Sequence, residues 1–114
     1  MKILVADDDK EIVELISIYL HNEGYEAVKA YDGKEAMEYV RSTPDIGLLI
    51  LDIMMPMVDG FATLEQIRKD ANLQHTKVMF LSAKNKESDI EKGLALGADA
   101  YMTKPFSIKK VVEK

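Results

Sequence analysis

Acidic residues at two places in the sequence are of types that could carry out chemistry. Asp7, Asp8 and Asp9 follow one short apolar run, and Asp52 follows another. Carboxylates held close together repel one another and cost stability unless a positive charge joins them. A hard divalent cation with oxygen ligands meets that need, and Mg²⁺ (or Mn²⁺) also stabilises phosphoryl groups. The aspartates therefore predict a divalent metal site.

A hydroxyl and an ammonium group follow two further apolar runs. Ser82 comes directly after the run 78–81, and Lys104 comes shortly after the run 98–102. A carboxylate beside Mg²⁺, a lysine and a hydroxyl can transfer a phosphoryl group through an aspartyl phosphate. Each residue alone also has an ordinary interpretation: Asp9 as a helix N-cap, Ser82 as a loop residue, Lys104 as a solvated charge. Only their combination indicates phosphoryl-transfer chemistry.

Alternating elements would bring these residues together. Apolar segments typical of strands alternate with amphipathic segments; the strand segments are Ile3–Ala6, Tyr25–Ala30, Ile46–Leu51, Val78–Leu81 and Ala98–Met102. This alternation predicts an α/β fold with a doubly wound, five-stranded parallel sheet of strand order 2-1-3-4-5, which is flavodoxin-like. The carboxyl ends of every strand but the second would then present polar residues at one edge of the sheet.

The helical segments have one apolar side each. In the first of them, the spacing predicts a buried stripe formed by Ile12, Leu15, Ile16, Tyr19 and Leu20. Asp32 and Glu35 have the spacing of a capping box at the start of the second. Ser107 is expected to cap a last, short helix, and the chain stops inside its amphipathic pattern. We therefore expect residues 1–114 to form one domain, cut in or near the last helix from a longer protein.

The composition excludes several classes of function. The 114 residues include no cysteine, which excludes disulfides, thiolate zinc sites and cysteine nucleophiles. A net charge of -5 with scattered basic residues argues against a nucleic-acid surface. The apolar runs are too short to span a bilayer, and no signal peptide is apparent, so we expect a cytoplasmic protein without membrane contact.

With these motifs in place, the sequence strongly resembles the receiver domains of bacterial two-component response regulators. The matching segments are Ile3–Asp9, Leu51–Gly60, Leu81–Lys84 and Gly97–Phe106. The resemblance covers essentially the whole chain, and it is most similar to regulators that drive a winged-helix transcription domain. It implies a signalling switch phosphorylated by a sensor histidine kinase, which assists its own phosphorylation but is not a conventional enzyme.

The resemblance also implies a role for each site residue. Asp52 would be the phosphoacceptor, Asp8 a direct metal ligand, Asp7 a ligand through water, and Met54 a ligand through its backbone carbonyl. Ser82 would be the switch hydroxyl that turns toward the phosphoryl group, and Tyr101 the aromatic residue whose rotamer changes with it. Lys104 would be the phosphate-binding lysine.

Output and assembly are less determined. The resemblance is compatible with an effector domain in a longer chain and favours transcription as the output, while DNA binding, another effector and protein contact alone all stay open. We expect no nucleic-acid binding by this domain itself. A phosphorylation-dependent homodimer stays open. The dimer surface of the winged-helix regulators is not carried over, because Ala100 stands where many of them have an acidic residue.

Three other functions compete with a receiver. A phosphatase of the haloacid-dehalogenase type would need its nucleophile after the first strand in an Asp-x-Asp pattern, whereas Met54 stands two residues after Asp52. A flavodoxin-like cofactor binder would need glycines and hydroxyls after strand one, where this chain has aspartates. A pseudo-receiver would share the fold without being phosphorylated, and the presence of Asp8, Asp52, Ser82 and Lys104 together argues against it.

Overall fold

Strands and helices alternate along the chain, as the sequence pattern predicts. A computed structural model describes residues 2–43, 45–55, 59–70, 73, 76–83 and 86–103. The elements are β1 (Lys2–Ala6), α1 (Lys10–Asn22), β2 (Glu26–Ala30), α2 (Gly33–Ser42), β3 (Ile46–Leu51), α3 (Gly60–Lys69), β4 (Lys77–Ser82), α4 (Glu87–Ala95) and β5 (Ala100–Thr103). The predicted last helix, with Ser107 as its cap, lies outside the described residues.

The strands form a single parallel sheet. Its order is β2-β1-β3-β4-β5, which confirms the predicted topology. Strand β3 has the predicted bounds, whereas β5 begins at Ala100 rather than Ala98. The backbone N–H of Asp99 instead donates to the carbonyl of Val78 at 2.8 Å, just before the β4–β5 pairing begins.

Apolar side chains cover both faces of the sheet. Successive strand residues point to opposite faces, so Leu4 packs in one core and Ile3 in the other. The core around Leu4 includes residues of α2 and α3, and the core around Ile3 includes residues of α1. Both cores shield the central strands from water, which explains the continuous apolar runs of β3 and of most of β1 and β4.

Helix α1 is rotated by about one residue from the predicted stripe. Its buried residues are Val13, Ile16, Ser17 and Leu20, and Leu15 is 53% exposed, so the prediction for Leu15 is wrong. Both sets of positions have helical spacing and share Ile16 and Leu20. The sequence pattern was therefore compatible with burial of either helix face. The face that is buried includes Ser17, whose hydroxyl made that face less apolar than the predicted one.

Ser17→Ala is expected to stabilise the protein by about 1 kcal/mol. Among the residues that the structure describes, the buried Ser17 hydroxyl has no hydrogen-bond partner, and a buried unpaired hydroxyl is unfavourable by roughly that amount. Alanine removes the hydroxyl and favours the helix. Urea unfolding followed by circular dichroism measures the change, and a decrease in stability would mean that the hydroxyl has a partner, such as a buried water.

The start of α2 departs from the predicted capping box in one bond. The Asp32 carboxylate accepts from the N–H of Glu35 at 2.8 Å, as in that motif. The Glu35 carboxylate, however, accepts from the N–H of Tyr31 at 3.2 Å, one residue before the cap. This bond fixes the end of β2, so the two acidic side chains join β2 to α2.

Candidate functional site

An acidic cluster lies at the carboxyl edge of the sheet. Asp7, Asp8 and Asp52 each offer a carboxylate oxygen, and these oxygens all lie within 4.8 Å of one another. Asp7 and Asp52 are 3% and 5% exposed, while Asp8 is exposed to solvent. The structure thus brings together the three aspartates that the sequence analysis placed in one metal site.

The pairing of β1 with β3 explains this proximity. Ala6 is paired with Leu51, so the residues that follow them leave the sheet side by side. The N–H of Asp52 donates to the carbonyl of Ala6 at 2.9 Å, which continues the ladder by one bond. Parallel strands with adjacent carboxyl ends are sufficient to build the cluster.

Asp9 has a different role from its two neighbours. Its carboxylate accepts from the N–H of Glu11 at 3.0 Å, and it is the N-cap of α1, as its ordinary interpretation predicted. Its own N–H donates to the Asp7 carboxylate at 2.9 Å. Asp9 therefore fixes both the start of α1 and the orientation of a buried carboxylate in the cluster.

The donor set fits a hard divalent cation. Oxygens bound to one Mg²⁺ at about 2.0–2.1 Å are at most about 4.2 Å apart. The oxygens of the cluster are already within 4.8 Å, so small side-chain movements suffice to bind the ion. A cation would also relieve the repulsion among these three carboxylates, two of which are buried.

Met54 lies in a tight turn directly after Asp52. The N–H of Met55 donates to the carbonyl of Ile53 at 3.2 Å, which closes the turn, and the Met54 side chain is 58% exposed. The backbone of Met54 is thus held next to the acidic cluster. Lys104, the predicted phosphate-binding cation, lies outside the described residues.

Ser82 and Tyr101 lie on the neighbouring strands β4 and β5, where Tyr101 is paired with Phe80 and Ser82 is the last residue of β4. Ser82 is fully buried and Tyr101 is partly buried, with its ring 5.8 Å from that of Phe80. A side-chain hydrogen bond links Tyr101 to Ser82. The predicted switch pair is therefore in contact.

The electrostatics of Tyr101 connect it to the acidic cluster. Burial raises the pKa of the Tyr101 phenol above its usual range, and the negative charges of Asp89 and Asp52 raise it further. The hydrogen bond with Ser82 opposes this rise in pKa. The pKa of Tyr101 therefore depends both on Asp89 of α4 and on the charge at Asp52.

Tyr101 is expected to make stability fall at high pH. Because folding raises its pKa, the folded state binds the phenolic proton more tightly than the unfolded state. The stabilisation is complete below the unfolded pKa of about 10 and is lost as pH rises through the folded pKa. The difference in unfolding free energy between the wild type and Tyr101→Phe should be constant up to about pH 9, and the wild type should lose stability relative to the variant above about pH 10. A difference independent of pH up to 12 would contradict this expectation.

Asp89 and Tyr31 are residues that the sequence analysis missed. Asp89 lies in the first turn of α4, where an acidic residue is expected simply because it favours a helix N-terminus, so its position gave no signal of a role. Tyr31 follows β2, and the ammonium of Lys10 lies 5.7 Å from the centre of its ring. Strand β2 thus ends in an aromatic contact beside the acidic edge.

Within the ranges that the structure describes, no helix has the length and apolar character needed to cross a membrane.

Curated relatives match nearly all of this chain. The response regulator GtcR from Aneurinibacillus migulanus is 44% identical over 112 residues, covering 98% of this chain and 45% of GtcR. The alkaline phosphatase synthesis transcriptional regulatory protein PhoP from Bacillus subtilis is 42% identical over 111 residues, covering 96% of this chain and 45% of PhoP. The chain thus spans about half the length of these relatives.

Solved structures have the same fold. The receiver domain of the Francisella response regulator 1452 superposes with a TM-score of 0.90 at 38% identity, covering 98% of this chain and 90% of that one. A CheX–CheY–BeF3–Mg complex from Borrelia burgdorferi contains a chain with a TM-score of 0.90 at 30% identity, covering 99% of this chain and 84% of that one.

The sequence pattern that defines the response regulator receiver domain matches residues 3–114. Together with the topology and the relatives above, this match identifies the chain as a member of the response regulator receiver domain family.

Proposed function

We propose that this receiver domain accepts a phosphoryl group on Asp52 and thereby switches an output. The observation that carries the proposal is the acidic cluster. Asp52 is 5% exposed, and one of its carboxylate oxygens lies within 4.8 Å of a carboxylate oxygen of Asp7 and of Asp8. The proposed donor is a phosphohistidine of a sensor histidine kinase. The proposed metal is Mg²⁺ or Mn²⁺, held by Asp8, Asp52 and the Met54 carbonyl, with Asp7 acting through water.

Each residue has a defined part in the proposed transfer. A carboxylate oxygen of Asp52 forms a bond to phosphorus as the bond to the donor nitrogen breaks, and the electron pair leaves with the histidine. The bound cation would neutralise charge on the phosphoryl oxygens. Lys104 pairs with one of these oxygens, and the Ser82 hydroxyl donates a hydrogen bond to another. The backbone N–H of Asp9 orients the Asp7 carboxylate before the reaction.

The switch would act through Ser82 and Tyr101. When the Ser82 hydroxyl turns toward a phosphoryl group, its hydrogen bond with Tyr101 is replaced, and the ring is free to change its rotamer. Tyr101 contacts Phe80 and lies near Asp89, so its movement would alter the surface around β4, α4 and β5. The new charge at Asp52 biases two arrangements of that surface.

We also propose a setting for the domain. It is a cytoplasmic signalling module rather than a conventional enzyme, it occupies residues 1–114, and it belongs to a longer regulator with an effector domain that controls transcription. Support comes from relatives about twice its length, among them PhoP, which is named as a transcriptional regulatory protein. A phosphorylation-dependent homodimer is compatible with this setting.

The proposal predicts a Mg²⁺-dependent gain of one phosphoryl mass. The protein is incubated with acetyl phosphate or phosphoramidate, with and without Mg²⁺, and its intact mass is compared with that of Asp52→Asn. The wild type should gain the mass only with Mg²⁺, because Asp52 is the nucleophile and the cation neutralises the phosphoryl charge. The variant should gain none. If the wild type forms no adduct and binds no beryllium fluoride, the domain is a pseudo-receiver.

A further inference from the structure

The first residue of α3 lies against the backbone of the proposed acceptor. Gly60 is buried, and a Cβ atom built on it would lie 2.7 Å from the Cα of Ile53 and 3.0 Å from the carbonyl carbon of Asp52. It would lie closer still to the carbonyl oxygen of Asp52. Real Cβ atoms essentially never approach backbone atoms so closely. A side chain at residue 60 would therefore push α3 away from the end of β3.

Backbone conformation does not explain the glycine at this position. Gly24 and Gly97 have positive φ angles, whereas Gly60 lies in the first turn of α3. Alanine is accepted there by the backbone and favours a helix more strongly than glycine. The close approach to Asp52 and Ile53 is thus the physical reason for the glycine.

The contact holds the acceptor residue from a second side. The N–H of Asp52 is bonded to Ala6 of β1 at 2.9 Å, and its carbonyl faces Gly60. The carbonyl of Ile53 accepts from the N–H groups of both Met55 and Gly60, at 3.2 and 2.8 Å. The turn that carries the Met54 carbonyl is therefore hydrogen-bonded to the first residue of α3.

The start of α3 is itself fixed by its cap. The Asp59 carboxylate accepts from the N–H of Ala62 at 2.8 Å, and the Thr63 hydroxyl donates to the Asp59 carbonyl at 2.9 Å. These bonds keep the start of α3 helical when a Cβ is added, so the clash must be relieved by moving α3 and residues 52–54 apart. Because the N–H of Gly60 is bonded to the carbonyl of Ile53, this movement disturbs the backbone of residues 52–54.

We infer that Gly60 is a positioning residue for the metal and phosphoacceptor site: its lack of a side chain sets the Asp52 carboxylate and the Met54 carbonyl in binding position. The inference rests on the proposed function. The Asp52 carboxylate and the Met54 carbonyl are proposed to bind the cation directly. A substitution at Gly60 should therefore change the Mg²⁺ affinity even when no phosphodonor is present.

The test is the Mg²⁺ dissociation constant, measured by titration calorimetry on the wild type, Gly60→Ala and Ile67→Val. Ile67 is fully buried in the same helix, so Ile67→Val controls for a general loss of packing. Gly60→Ala is expected to weaken binding by about tenfold or more, because metal sites are sensitive to small changes in ligand position. Ile67→Val should stay within about twofold. Equal Mg²⁺ affinity for Gly60→Ala and the wild type would overturn the inference.

A second pair of variants covers the case in which Gly60→Ala fails to fold. Asp59→Ala removes the cap of α3, while Asp59→Asn removes the same charge and keeps a capping side chain. If the position of α3 sets the metal ligands, Asp59→Ala weakens Mg²⁺ binding severalfold and Asp59→Asn does not. Equal effects of the two variants would show that charge alone matters and would overturn the inference. A wild type that binds Mg²⁺ but is never phosphorylated would instead defeat only the proposed function.

Discussion

Replacing Asp8 with asparagine is expected to weaken Mg²⁺ binding on the order of a hundredfold, because affinity for hard cations depends strongly on the number of charged oxygen ligands. Asp8 is the solvent-facing member of a cluster whose other carboxylates are buried. It is therefore the member best placed to meet a hydrated cation that enters from solution. Phosphorylation of Asp52 should fall with the affinity, since the phosphoryl charge would no longer be neutralised.

The measurement uses stability as well as binding. A ligand present at about 100 times its dissociation constant stabilises the native state by about 2.7 kcal/mol. The wild type should gain this amount from Mg²⁺ in urea unfolding, and Asp8→Asn should gain almost nothing at the same concentration. In metal-free buffer the order should reverse, and Asp8→Asn should be more stable than the wild type because one repulsive charge is gone.

Asp9→Asn is the matched control for this prediction. It removes the same charge one residue away, and asparagine also caps helices well, so α1 should start as before. Its stabilisation by Mg²⁺ should stay close to that of the wild type. Loss of the Mg²⁺ effect in both variants would indicate a diffuse electrostatic effect rather than a ligand at Asp8.

The fold and the acidic cluster could be predicted because they follow from patterns with few solutions. Apolar strands that alternate with amphipathic helices leave little choice but a covered parallel sheet. Once strands β1 and β3 are neighbours, Asp7, Asp8 and Asp52 must emerge at the same edge. Neither step requires knowledge of side-chain packing, so the sequence suffices for both.

The rest depends on packing and on contacts between distant residues. The rotation of α1 exposes Leu15 and buries Ser17, which no hydrophobicity pattern would favour. The close contact of Gly60 with Asp52 is invisible in the sequence, where it is one more glycine after an aspartate. The bonds of Arg68 across 31 residues to Asp99 have no sequence signal at all. Such contacts are set by how helices settle on the sheet.

Arg68 is expected to contribute strongly to stability although its side chain is partly exposed. Its Nη1 donates to the carbonyl of Thr76 at 2.8 Å, and Nε and Nη2 donate to that of Gly97 at 3.0 and 2.9 Å. Nη2 also pairs with Asp99 at 3.0 Å, and Asp99 accepts from the N–H of Val78 at 2.9 Å. One guanidinium thus joins the end of α3 to the segments before β4 and β5.

Arg68→Ala should lower the free energy of unfolding by about 2 kcal/mol, mainly because the carbonyl of the buried Thr76 would lose a charged donor, with smaller losses at the exposed Gly97 and Asp99. The Arg68 side chain is 21% exposed, so solvent replaces only part of these bonds. Arg68→Lys should recover less than half of the loss, since an ammonium group cannot reproduce the planar fork. Urea unfolding followed by circular dichroism measures both values.

Arg41→Ala is the control that separates this network from an ordinary surface charge. Arg41 is 57% exposed and its Nε lies 4.0 Å from Asp70, so its removal should change stability by less than about 0.5 kcal/mol. If Arg68→Ala costs no more than Arg41→Ala, water satisfies the carbonyls of Thr76 and Gly97 and the network is not structural. A large loss would instead mean that the segment leading into β5, and hence Tyr101, is held from outside the acidic site. Phosphorylation of Asp52 would then move α4 and β5 relative to the segment of Gly97 and Asp99, which Arg68 holds in place.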